Sequence, residues 1–209
     1  MKRSTKTPAE PRFERQLPAA RRQALIEATI ECLKKHGHNG LSVRRISAQA
    51  QVSIGLINHH FPTKDTLIAE AYRYFNHELV SGLRRAVTAA GGSPRAQLRA
   101  FFRASFSPPN LDSEVLAVWV VFWGMYRHSK EIQKVQAESY RGYLDLLRTM
   151  LADLEKATGR LRFNLRLASI GLTSLIDGLW LEWCLDPNTF SPHEAIELCE
   201  AWVERLEGR

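Results

Sequence analysis

The sequence predicts an all-α fold of about nine helices, and three observations predict it. Apolar residues recur at helical spacing along nearly the whole chain, no alternating β-branched run is long enough for a sheet, and N-cap residues precede the periodic segments. The breaks are Gly37, Gly40, Gly91 with Gly92, Pro108 with Pro109, Gly159, and Asp186 with Pro187. Ser42, Ser53, Thr63, Ser93, Ser129 and Ser191 stand at N-cap positions. Pro94 and Pro192 follow two of them as first helical residues, and Glu194 completes a capping box.

Taken in order, residues 1–18 (MKRSTKTPAEPRFERQLP) hold three prolines and seven charges without an apolar run, which reads as a flexible basic arm and not a secretion signal. The first helix, about Pro18 to His36, places Leu25, Ala28, Thr29, Cys32 and Leu33 on one face. A short second helix from Val43 to Ala50 buries Val43, Ile46 and Ala50. Gln51, Val52 and Ser53 then turn the chain into a third helix that buries Ile57 and Phe61. Two short helices joined by a three-residue turn form a helix-turn-helix. The fourth helix begins at Lys64 and reaches about Ala89, and the last two span about Leu165 to Leu185 and Pro192 to Leu206.

Charge divides the chain. Residues 1–64 carry 12 Lys or Arg against 4 Asp or Glu, whereas the remainder carries 17 against 18. The whole basic excess lies in the first third, so that segment is drawn to a polyanion and the rest serves another purpose. The longest strongly apolar run, Val115 to Tyr126, falls short of the roughly 20 residues that cross a bilayer, so no membrane partner is expected. Cys32, Cys184 and Cys199 are widely spaced and odd in number, which argues against a disulfide framework and fits buried thiols in a reducing cytoplasm. The adjacent His59 and His60 point about 100° apart on a helix and do not chelate one ion, and no P-loop, H-E-x-x-H or G-x-S-x-G spacing occurs. Neither an enzyme nor a metal or cofactor is expected.

The third helix presents Gly55, Asn58, His59 and His60 where a solvated helix would carry Glu and Lys. In a helix-turn-helix the second helix enters the DNA major groove N-terminus first, a position that favours small residues and neutral hydrogen-bonding groups.

The run LSVRRISAQAQVSIGLINHHFPTKDTLIAEAY, preceded by RRQALIEATIECLKKHGHNG, resembles the DNA-binding domain of the TetR family of bacterial transcriptional repressors. Ser53, Gly55, Ile57, His60, Phe61 and Lys64 carry the likeness, which spans about residues 21–75. It implies a double-stranded operator as partner, with Ser42 on the phosphate backbone and Arg44 on a base or phosphate. Ser53, at the helix start, is placed to reach phosphate. Ile54, Gly55, Leu56 and Asn58 are implied at base edges, and His59, His60 and Lys64 at phosphates. Relatives often have Tyr where Asn58 stands, so that contact is expected to read bases differently.

Beyond Gly92 the chain holds all five tryptophans and a dense aromatic set. Core packing is the default use of such residues. Two features point part of the set to a ligand pocket: Trp119, Trp123 and Tyr126 follow i, i+4, i+7 spacing, and Trp180 and Trp183 lie three apart. Several indoles around a cavity suit a quaternary ammonium. AVWVVFWGMYRH and LIDGLWLEWCLDP further resemble the BetI subfamily of choline-responsive repressors, which implies release from the operator by a choline-like cation. Candidate effector residues are Phe106, Trp119, Trp123, Tyr126, Tyr143, Asp177, Trp180 and Trp183, with Asp177 as the anionic group. Another amine, an apolar ligand, or DNA binding without any ligand are the alternatives.

The resemblance also implies a homodimer built on the last two helices. Leu172, Leu175, Gly178, Leu179, Ile196, Cys199, Trp202 and Val203 are its expected contacts, and Gly171 and Gly178, seven apart, suggest close helix approach. The expected organisation is an arm (1–18), a helix-turn-helix domain (19–64) and an effector-binding and dimerisation domain (65–209).

Overall fold

The computed structural model describes residues 18–38 and 40–208; the basic arm, apart from Pro18, lies outside the described residues. Those residues form nine helices and no strand: α1 (Pro18–His36), α2 (Val43–Gln49), α3 (Ile54–His60), α4 (Lys64–Ala90), α5 (Pro94–Ser105), α6 (Ser113–Met125), α7 (Lys130–Thr158), α8 (Leu165–Leu185) and α9 (Pro192–Leu206). All six expected N-caps accept from a backbone N–H of the first turn, and Asp112 and Asn164 do the same for α6 and α8. The Ser191 and Glu194 side chains cap each other's backbone N–H groups. In the turn between α2 and α3, Gln51 takes a left-handed φ of 55°, and the Ser47 hydroxyl donates to the Val52 carbonyl at 2.6 Å.

Helices α1 to α3 form a small head around Leu25, Leu33, Ile46, Ile57 and Phe61, all at most 2% exposed. Helix α4 packs on α1 of the head and on α5 and α7 of the body, so it belongs to both. Helix α6 bridges α1 and α8, and α9 packs on α5 and α8. At the α8–α9 contact a Cβ on Gly171 would lie 2.6 Å from the Trp202 ring, so glycine sets how closely these helices approach. Cys32 and Cys199 are buried and Cys184 is half-buried; burial pushes all three thiols up, Cys199 to about 12. No helix among the described residues is long and apolar enough to cross a membrane.

The outer face of α8 and α9 corrects part of the expected dimer contact. Leu172, Cys199 and Val203 are buried in the chain's own core and have no surface left for a second copy. Leu175, Leu179, Ile196 and Trp202 are half-buried against that core, and Gly178 is open. The exposed stripe of α8 is instead Leu167, Ile170, Ser174, Gly178, Leu181 and Leu185, joined by Leu198 of α9. Helix α8 is apolar on nearly every side, so periodicity alone does not separate its inward face from its outward one.

Candidate functional site

The head presents the third helix outward. Gly55, Asn58 and His59 are exposed, Ile54 is 41% exposed, and Leu56 and His60 are half-buried. Ser42 and Ser53 cap α2 and α3 through the backbone N–H groups of Arg45 and Leu56, at 3.3 Å each. Arg45 is tied back to the Gly40 carbonyl at 2.7 Å. Arg44 and Lys64, by contrast, are exposed cations with no ion-pair partner among the described residues. Unpaired cations flanking a helix N-terminus form an anion-attracting rim.

Gly55 is the informative residue of this face. A Cβ placed there would meet only the Ser53 Oγ, at 3.9 Å, and its backbone is ordinary helix. Glycine weakens a helix relative to alanine, yet nothing within the chain requires it here. The glycine leaves the outer surface of the α3 start bare of any side chain at this position.

The second constellation lies between α4, α6, α7 and α8. Trp119, Trp123, Tyr143, Asp177 and Trp180 line one cavity of about 50 Å³, together with Asn76, Leu79 and Val80 of α4 and Gln136, Ser139 and Tyr140 of α7. Asp177 has no hydrogen bond or ion pair among the described residues, and burial pushes its carboxyl up to about 6. The buried Tyr143 hydroxyl likewise has no hydrogen-bond partner. Burial raises the phenol pKa values of Tyr140 and Tyr143, with the neighbouring Asp177 charge adding to it, so both stay neutral. Trp180 is anchored by its indole N–H to the Ser105 carbonyl at 3.2 Å. A lone carboxylate and an unused hydroxyl facing aromatic walls suit a cation with a polar substituent.

Three of the expected effector residues are not brought to this cavity. Phe106 caps α5 inside the core with 0% exposure, Tyr126 ends α6 with 46% exposure, and Trp183 packs against the core beyond the cavity. Sequence reasoning missed the contributions of α4 and most of those of α7. The run Gln136, Tyr140, Tyr143 at i, i+4, i+7 was the available signal on α7, and Asn76, a polar residue on the buried face of α4, was the signal there.

The two constellations are physically connected. Arg22 of α1 lies 4.9 Å over the Phe61 ring at the end of α3 and pairs with Glu70 of α4 at 2.6 Å. Glu70 also pairs with Arg73, which reaches Glu138 of α7 at 3.3 Å, next to cavity-lining Ser139. From the cavity side, the Tyr72 hydroxyl donates to Gln136, and its ring stacks on Phe122 at 4.2 Å.

Comparison with known proteins identifies the family of the chain. Residues 25–71 match the family described as bacterial regulatory proteins, tetR family, and residues 94–207 match the BetI-type transcriptional repressor, C-terminal. The chain is 31% identical over 186 residues, 89% of its length and 93% of the relative's, to the HTH-type transcriptional regulator BetI of Burkholderia thailandensis. A transcriptional regulator from Pseudomonas aeruginosa PAO1 is 46% identical and superposes with a TM-score of 0.87 over 95% of each chain. Two more distant structures, each 18% identical, share the fold. One is a regulator from Saccharomonospora viridis in complex with choline (TM-score 0.75, 89% of this chain and 96% of that one). The other is FadR of Bacillus subtilis in complex with stearoyl-CoA (TM-score 0.71, 88% and 96%).

Proposed function

The chain belongs to the TetR family of bacterial transcriptional regulators, with a BetI-type C-terminal region, and on that premise we propose a dimeric repressor released from its operator by a small organic cation of the choline type. Its family and relatives are regulators, not enzymes. What supports the cationic effector most directly is the unpaired Asp177 carboxylate among Trp119, Trp123, Tyr140 and Trp180. Distant relatives of equal likeness hold choline in one case and stearoyl-CoA in the other. Cavity chemistry therefore has to choose, and a half-buried, unpaired carboxylate repels an acyl thioester bearing phosphates.

The free space of about 50 Å³ is a third of the ~150 Å³ that admits benzene in an engineered protein cavity. A trimethylammonium head enters only if the walls move. Asn76, Leu79 and Val80 of α4 form one wall, and α4 begins at Lys64, roughly 18 to 24 Å away at about 1.5 Å per residue. Displacing that wall pivots the heads and moves them off the spacing of the two half-sites, which lie one duplex turn of roughly 34 Å or a multiple apart. A ligand that prefers the wrongly spaced dimer weakens DNA binding by its differential affinity, about 1–3 kcal/mol.

A gel shift with the DNA upstream of its own gene, with and without choline, tests this reading. A salt-sensitive band that choline dissolves supports it; a band indifferent to choline at millimolar concentration rejects the effector. On the DNA side, Lys64→Ala is expected to weaken all sequences alike and lower the salt slope by about 1 per head, or about 2 for the dimer. Asn58→Ala should cost about 1–3 kcal/mol on the best operator and little on others. Binding isotherms across salt concentrations and operator variants measure both.

The dimer is proposed on the exposed stripe of α8 with Leu198 of α9, where Leu167, Ile170, Leu181, Leu185 and Leu198 can pack against their symmetry mates. Leu181→Glu places a charge in the C-terminal half of that stripe. Sedimentation should then show monomer, and operator affinity should fall at least 100-fold because each head alone buries too little surface. A dimeric, fully binding variant would place the interface elsewhere.

A further inference from the structure

A second chamber of about 400 Å³, open to solvent along the exposed Glu78, Arg85, Pro108 and Pro109, lies against the wall made by Leu79 and Trp119, which line both it and the Asp177 cavity. Phe75, Pro108, Pro109 and Val115 give it an apolar lining, and Glu78 and Arg85 stand among its polar residues. Three observations bear on what it holds. First, it is several times larger than the neighbouring cavity, whose own space is too small for a whole effector. Second, Gly82 lies in the interior of the 27-residue α4 and lines this chamber, yet a Cβ there would meet nothing closer than the Arg85 guanidinium at 3.8 Å. As at Gly55, a glycine weakens the helix without serving any contact inside the chain, and what it provides is room. Third, the dividing Trp119 has no hydrogen bond on its indole N–H among the described residues, whereas Trp180 is fixed to the Ser105 carbonyl. Turning Trp119 aside breaks ring contacts with Phe75, Tyr72 and Trp123 but no polar bond.

We infer that the effector site has two parts, and that its ligands are quaternary ammonium compounds carrying an apolar chain: the cationic head sits at Asp177 and the chain passes the Leu79–Trp119 wall into the chamber over Gly82. This rests on the cationic head site proposed above and adds the tail. The chamber's lining favours methylenes, and the volume accepts several of them. The head remains selected by charge; chain length then sets affinity.

Calorimetric titration of the full-length protein with tetramethylammonium and with ethyl-, butyl-, hexyl- and octyltrimethylammonium, kept below micelle formation, tests this. Affinity is expected to rise up to about fourfold per methylene over the first several carbons and then level off as the chamber fills. Gly82→Leu, a change that favours helix and meets open space, should leave tetramethylammonium binding unchanged and remove most of the rise; its melting temperature checks that it folds. A flat series with intact tetramethylammonium binding overturns the tail chamber alone. So does a rise that Gly82→Leu leaves untouched, because the chain is then bound elsewhere. If no member binds, the cationic head site has failed and the tail falls with it. If long chains bind in a Gly82-dependent way while tetramethylammonium does not, the chamber stands and the head site is overturned.

Discussion

Asp177→Asn is expected to abolish the response to choline-type cations at the concentration that half-saturates the parent, while leaving operator binding intact. The carboxylate is the charged group of the cavity lining and faces Trp119, Trp123, Tyr140 and Trp180 without a partner of its own. Removing one member of a largely desolvated charge pair costs roughly 2–3 kcal/mol, or about 30- to 150-fold in cation affinity. The neutral isostere keeps the shape of the cavity, so the loss reports charge.

The same variant carries a pH signature. Burial raises the Asp177 pKa from 3.8 to about 6 in the folded chain. Between those values the folded state holds a proton that the unfolded state has released. This group therefore favours folding below about pH 4, and that contribution is lost as pH rises through 6, at a cost of up to about 3 kcal/mol above it. Asp177→Asn should then melt higher than the parent at pH 7.5 and nearly level with it at pH 4. Cation binding runs the other way, because a proton and the ligand compete for one carboxylate. Affinity should be flat above pH 7 and about tenfold weaker at pH 5. A parent protein whose choline affinity does not change between pH 7 and pH 5, or an Asn variant that still responds, removes Asp177 from the site.

Gly55→Leu is expected to separate stability from function with opposite signs. In the free protein the new Cβ meets only the Ser53 Oγ at 3.9 Å and leucine is a better helix former than glycine, so folding gains up to about 0.5 kcal/mol and melting does not fall. On DNA it holds the helix start away from the base edges and separates Asn58, Lys64 and Arg44 from their targets together. Operator affinity should fall at least 100-fold, towards the salt-dependent binding of any duplex. Calorimetric melting and gel shifts on the same preparation read both. Wild-type operator binding by Gly55→Leu would mean that this face does not enter the groove.

Where the sequence was legible, the determinants were local. The helix-turn-helix, six of the N-caps, the capping box and the exposure of Gly55 and Asn58 follow from residues within one or two turns of each other, because a cap or a turn is satisfied by its own neighbours. The aromatic content of the body announced a cavity or a core without separating the two. Phe106 went to the core and Trp123 to the cavity wall, a choice made by which helices lie beside them.

Local order along the chain thus set the helices, their ends and the basic head, since hydrogen bonding and charge act at short range. Packing between distant elements brings α4 and α7 to the cavity around Asp177. It also turns Leu172, Cys199 and Val203 inward and leaves Leu167, Ile170, Leu181 and Leu185 facing out. A helix apolar on every side carries no periodic mark of its buried face; the neighbours that pack against it choose one, and those neighbours are distant in sequence.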